Sequence, residues 1–210
     1  MNGLERIAAA MSGQVADRRA VALTLSLYGA KLTGCPLKRY YRDSIAYAEG
    51  QLAAFERFGS DVVYSPFALA LEGEALGCAV KWHERQPPAI AKPLSRGPGV
   101  VDLDKIDFDG QPFYRYAIGV VERLARDLNG RAALVAVATS PADIPALLFG
   151  VESWLDMLLF DPEAAALLLA SAGRYFARFA NSLLEAGATA VALPSVFLNP
   201  SVVSVNIAKR

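Results

Sequence analysis

Apolar positions along the chain fall into two alternating patterns. Short, nearly unbroken apolar runs recur at residues 20–27 (AVALTLSL), 61–65 (DVVYS), 132–138 (AALVAVA) and 190–193 (AVAL). Runs of this length with branched residues suit strands covered on both faces, as in a parallel sheet. Between them the apolar spacing is helical. Residues 1–13 place Leu4, Ile7, Ala8 and Met11 on one stripe. Asp43 is placed to cap a helix that runs through Phe58 and stops at Gly59, and residues 111–128 predict a second that ends at Asn129–Gly130. Asp161–Pro162–Glu163 combines a capping acceptor with proline at the first helical position, and predicts a helix to about Glu185. Shorter helices are expected at 141–149 and 151–159, with helix and loop from the end of the second run to Gly77. Residues 78–82 and 89–93 flank HERQPP and predict two extended segments forming a hairpin outside the main sheet, followed by a turn-rich link at 95–99.

Strand followed by helix, repeated, predicts an α/β fold with a parallel sheet and outer helices. The pattern fits a partial TIM-type (β/α) barrel with about four parallel strands, where a closed barrel needs about eight. On this reading residues 1–210 are the N-terminal portion of a single barrel domain whose C-terminal half is missing. Four strands leave two unpaired edges and an unfilled interior. The natural chain is therefore expected to continue, or a partner chain or second copy to complete the barrel. A doubly wound sheet is the alternative, but no GxGxxG follows a strand and no GxxxxGK[ST] occurs.

Composition narrows the function classes. Lysine plus arginine and aspartate plus glutamate both number 21, with no long run of either sign, which disfavours nucleic acid or an anionic membrane as partner. Mean hydropathy is high at +0.29. The apolar runs nevertheless fall far short of the roughly 18 residues of a membrane span, and residues 1–13 lack the pattern of a signal peptide. Cys35 and Cys78 form no CxxC pair and are expected as reduced thiols, which points to a cytoplasmic location.

Barrel active sites form at the C-terminal ends of the strands. That position selects Tyr28 and Lys31 after the first strand, Ser65, Pro66, Glu72 and Glu74 after the second, Thr139 and Ser140 after the third, and Ser195 and Asn199 after the fourth. These are the candidate substrate-binding residues, although loop serines are often only turn formers. Glu72 and Glu74 stand at i, i+2 and do not share a helix face, so one of the two is expected to point inward. His83, the only histidine, has no cysteine or carboxylate at metal-ligand spacing and reads as structural or surface. The aromatic residues of 154–160 and 175–179 fit core packing. No nucleophile–base set emerges, so catalytic residues stay unassigned.

Five segments in consistent order carry a resemblance: DSIAYAEGQLAAFERFGSDVVYSPF (43–67), ALEGEALGCAVKW (70–82), PPAIAKPL (87–94), LVAVATSPADIPALLFGVESWLDMLLFDPEAAALLLA (134–170) and LLEAGATAVALPSVFLNPSVVS (183–204). Together they resemble the uroporphyrinogen decarboxylase superfamily, which holds that decarboxylase and the zinc-dependent corrinoid and coenzyme M methyltransferases. The decarboxylases carry an MRQAGR-like segment near the first strand and an aspartate in an FSD-like triplet after the second. Here the matching stretches are LSLYGAKLTGCPLKRYY (25–41) and Tyr64-Ser65-Pro66, without the arginine clamp or the aspartate. PFALALEGEALGC (66–78) is closer to the methyltransferase branch. The resemblance thus implies methyl transfer from a methylcorrinoid protein to a small thiol held by zinc, with tetrapyrrole decarboxylation in heme biosynthesis as the alternative. The family's zinc ligands, a His-x-Cys pair and a later cysteine, have no counterparts in these 210 residues, so zinc and corrinoid are implied for a complete member and a metal site in this chain is not expected. A third expectation is a non-catalytic half that needs a partner. Residues 202–210 (VVSVNIAKR) end in a basic tail unlike the family's helix there.

Overall fold

A computed structural model describes residues 1–94, 101–199 and 201–208. The predicted link at 95–99, Pro200 and the basic end Lys209–Arg210 lie outside the described residues. The element order is α1 (Gly3–Met11), α2 (Ser26–Thr33), α3 (Leu37–Tyr40), α4 (Ser44–Phe58), β1 (Val62–Tyr64), α5 (Leu69–Ala75), β2 (Ala79–Lys81), β3 (Ala89–Lys92), a 3-10 turn (Leu103–Lys105), α6 (Pro112–Leu128), β4 (Ala133–Val137), α7 (Ile144–Phe149), α8 (Val151–Phe160), α9 (Pro162–Glu185), β5 (Ala190–Ala192) and α10 (Val205–Ala208).

Helix ends lie where local chemistry puts them. Asn2 and Glu5 form a capping box on α1. The Asp43 carboxylate accepts from the amides of Ile45 (3.0 Å) and Ala46 (3.3 Å), and α4 stops at left-handed Gly59. Asp161 caps α9, while α6 ends at Asn129 with φ 45°. The HERQPP hairpin is present as β2 paired antiparallel to β3.

β1, β4 and β5 form a parallel sheet in that order, with Val62 opposite Ala133 and Val137 opposite Ala192. Side chains alternate across such a sheet. Val63, Leu134 and Ala136 face the helices and join one core cluster with Tyr47, Val120, Leu124, Tyr175 and Phe179. Tyr64, Val135, Val137, Ala190 and Ala192 share the other face, which the helices leave open. The result is a partial (β/α) barrel wall.

The predicted first strand is corrected. Residues 20–27 contribute only a parallel bridge, Ala22 to Val62, and the chain is helical from Ser26. One backbone bond joins them, the Asp61 amide donating to the Val21 carbonyl (2.7 Å), and side chains take the rest of the ladder. The Asp61 carboxylate accepts from the Val21 amide (2.8 Å), and Ser60 Oγ accepts from the Leu23 amide (3.2 Å). Asp61 is itself buried between Arg6 (3.0 Å) and Arg18 (2.6 Å), tying α1 and the bridging segment to β1. With no strand on its other side among the described residues, the segment is exposed at Val21 and Leu23 instead of covered on both faces. The aromatic residues of 154–160 also divide: Trp154 is core, whereas Phe160 at the end of α8 is 81% exposed. No described helix is long and apolar enough to cross a membrane.

Candidate functional site

Two clefts stand out, one at the C-terminal ends of the sheet strands and one beside α2. The larger, about 550 Å³, is floored by the last inward residues of the three strands, Tyr64, Val137 and Ala192. Phe67 and the Leu193–Pro194 step form its walls, with Thr24 and Ser26 on the rim before α2. Its size is that of a small-molecule site. None of these eight residues is charged, and its polar groups are hydroxyls. The second cleft, about 420 Å³, lies between α2 and the β2–β3 turn and holds Tyr28, Lys31, Cys35, Glu84 and Arg85.

The residues selected from the sequence are not gathered in one place. Tyr28 and Lys31 go to the second cleft, with the Lys31 ammonium 5.2 Å over the Tyr28 ring. Ser65 is buried, and its Oγ accepts from the Val137 amide (2.9 Å), extending the β1–β4 ladder by one side chain. Pro66 is buried directly after it. Glu74 turns outward to Arg42 (2.8 Å).

Glu72 turns inward and is 1% exposed. Its carboxylate accepts from the Thr139 amide (3.1 Å), from the Thr139 hydroxyl and from Tyr175 (2.7 Å), whose oxygen lies 2.8 Å from that of Tyr114. Among the described residues no cation joins this group, and burial pushes the Glu72 carboxyl above its usual range, partly offset by the Thr139 and Tyr175 donors. Burial likewise raises Tyr175 and Tyr114. Next to Thr139, the fully buried Ser140 donates to Asp143, as does Ser195, and the Asp143 carboxylate also accepts from the Val196 amide (2.8 Å). Asn199 is exposed and accepts from the Ser201 amide within its own turn. Glu72 and Asp143 thus hold the two loops that follow β4 and β5 in register.

Sequence reasoning passed over the cleft floor because Tyr64, Val137 and Ala192 lie inside the strands, one to three residues before the loop positions it chose. Strand parity was the available signal. It also passed over Asp143, which stands four residues after Thr139 in a short loop before α7.

Zinc does not fit the donor set. Among the described residues no group of three His, Cys, Asp or Glu side chains is placed to hold a metal ion. His83 lies in the β2–β3 turn, and Cys78 is buried against the carbonyls of Leu147 and Leu148.

Comparison with known proteins agrees with this fold. Across its full length the chain superposes on a methyltransferase from Methanosarcina mazei with a TM-score of 0.85 at 19% identity, covering 63% of that chain. A methylated-thiol–coenzyme M methyltransferase of Methanosarcina mazei is 27% identical over 124 residues, 59% of this chain and 33% of that protein. A methylcobamide:CoM methyltransferase of Methanosarcina barkeri is 23% identical over 207 residues, 95% of this chain and 60% of that protein. The chain therefore spans less than two thirds of the length of each of these relatives. The family model for uroporphyrinogen decarboxylase (URO-D) matches residues 2–206, nearly the whole chain, and the chain belongs to that family.

Proposed function

We propose that this chain contributes part of the substrate-holding wall in corrinoid-linked methyl transfer, from a methylcorrinoid protein to a small thiol, as the N-terminal portion of one barrel domain. The observation that carries this reading is the uncharged cleft at the strand ends. A uroporphyrinogen-type substrate brings eight carboxylates, and each needs a cation or several donors to leave water. Tyr64, Phe67, Val137 and Leu193 provide apolar surface instead, with Thr24 and Ser26 hydroxyls for orientation. Such a surface suits the largely apolar face of a corrin ring, and shields a transferring methyl group from water.

The role assigned to the chain is binding and exclusion of water. Zinc chemistry has no ligands among the described residues, so no step is drawn through a metal here. Both cysteines are free thiols, which suits a reducing, cytoplasmic setting. The methylcobamide:CoM methyltransferase match, over 95% of this chain but 60% of that protein, supports placing the chain inside a larger barrel.

Equilibrium binding of methylcobalamin to the 210-residue chain, followed by its visible absorption, tests the reading. Phe67→Ala and Tyr64→Ala are each expected to weaken binding about tenfold, near 1.4 kcal/mol. Binding of uroporphyrin in preference to methylcobalamin would overturn it in favour of the decarboxylase alternative.

A further inference from the structure

We propose that the groove between α2 and the β2–β3 turn is a second ligand site that takes a small organic monoanion, a carboxylate or sulfonate on an apolar body. It is separate from the cleft at the strand ends: Ser26 lines that cleft, whereas the next residue, Leu27, already faces this groove. Leu27, Ala30, Lys31 and Gly34 are spaced i, i+3, i+4, i+7, so one stripe of α2 forms the wall. At Gly34, φ is +67°, a left-handed turn that suits glycine, and it folds Cys35–Leu37 underneath as a floor. Glu84 and Arg85 form the opposite lip.

The charges set the ligand class. Lys31 and Arg85 approach the groove from opposite sides, and neither has an ion-pair partner within 4 Å among the described residues. Two cations against Glu84 leave one net positive charge, which matches a monoanion better than a neutral or polyanionic ligand. Leu27, Ala30 and the Tyr28 ring offer the body of the ligand an apolar surface little more than one helical turn long. That length suits a small molecule over a peptide. A volume of about 420 Å³ has room for a bicyclic aromatic acid.

Cys35 makes the groove readable. It is partly exposed on the groove floor, while Cys78 is buried and serves as an internal control. The native chain is alkylated with iodoacetate, an anion, and with iodoacetamide, its neutral analogue, and the modified residue is located by peptide mass. The ratio of the two rates at Cys35 is expected to fall about threefold or more in Lys31→Ala and in Arg85→Ala, and in high salt. In addition, 2-naphthalenesulfonate is expected to protect Cys35 from iodoacetamide saturably in the wild type, and weakly in the double variant. Both substituted side chains are exposed, so the variants are expected to keep the wild-type circular dichroism. An unchanged rate ratio, or protection that persists undiminished in the double variant, would overturn the proposal.

Discussion

Glu72 is the polar centre of this fold, and removing its carboxylate provides a sharp test of the hydrogen-bond account. In Glu72→Ala three donors lose their acceptor: the Thr139 amide, the Thr139 hydroxyl and the Tyr175 hydroxyl. Each buried orphan costs about 1–3 kcal/mol. The expected loss is therefore about 3 kcal/mol or more, before any cavity is counted. Glu72→Gln is milder, because its amide oxygen still accepts from Thr139. Its NH2 must donate toward Tyr175, which forces the Tyr175–Tyr114 pair to reverse its donor direction, at a cost of about 1 kcal/mol. The carboxyl is raised above its unfolded value, so its contribution is fully present below that value and is lost as pH rises through the folded one. The stability advantage of the wild type over Glu72→Gln should accordingly be larger near about pH 5 than near about pH 8. Urea unfolding followed by tryptophan fluorescence, with Trp154 in the core as reporter, measures both quantities. A loss below about 1 kcal/mol in Glu72→Ala, or an advantage that grows with pH, would refute the reasoning.

Gly29→Ala should destabilise the chain by about 2 kcal/mol or more, seen as a lower urea midpoint, because α2 and α4 touch there and the new Cβ would sit 2.7 Å from the Gly50 carbonyl group. Asp143→Ala should leave the sheet intact but free the loop after β5, since Ser195 and the Val196 amide lose their shared acceptor. Amide hydrogen exchange at Val196 should speed up at least about tenfold while exchange in β4 is unchanged.

The helices of this chain were legible from sequence because their signals are local. Asp43, Asp161, Gly59 and Asn129 act on backbone groups within a few residues, and the apolar stripes of α6 and α9 need no knowledge of what covers them. Three of the four apolar runs became the strands of the parallel sheet for a related reason: short branched runs between capped helices have few other places to go. The order of segments was enough to show the resemblance to the uroporphyrinogen decarboxylase family. Strand pairing was a different matter. Residues 20–27 have the composition of a strand, yet Ser60 and Asp61 side chains, brought there by the fold, take the Val21 and Leu23 amides and leave a single bridge. The site was likewise decided in three dimensions. Which residues of a strand face the open side depends on register, and a shift of one residue separates Tyr64, on the cleft floor, from Ser65, locked into the sheet. Glu72 and Glu74 look alike in sequence; only the packing of α5 against Thr139 and Tyr175 buries the first, while the second reaches Arg42. Local hydrogen bonding and apolar periodicity were written in the sequence, and long-range pairing and burial were left to the tertiary structure.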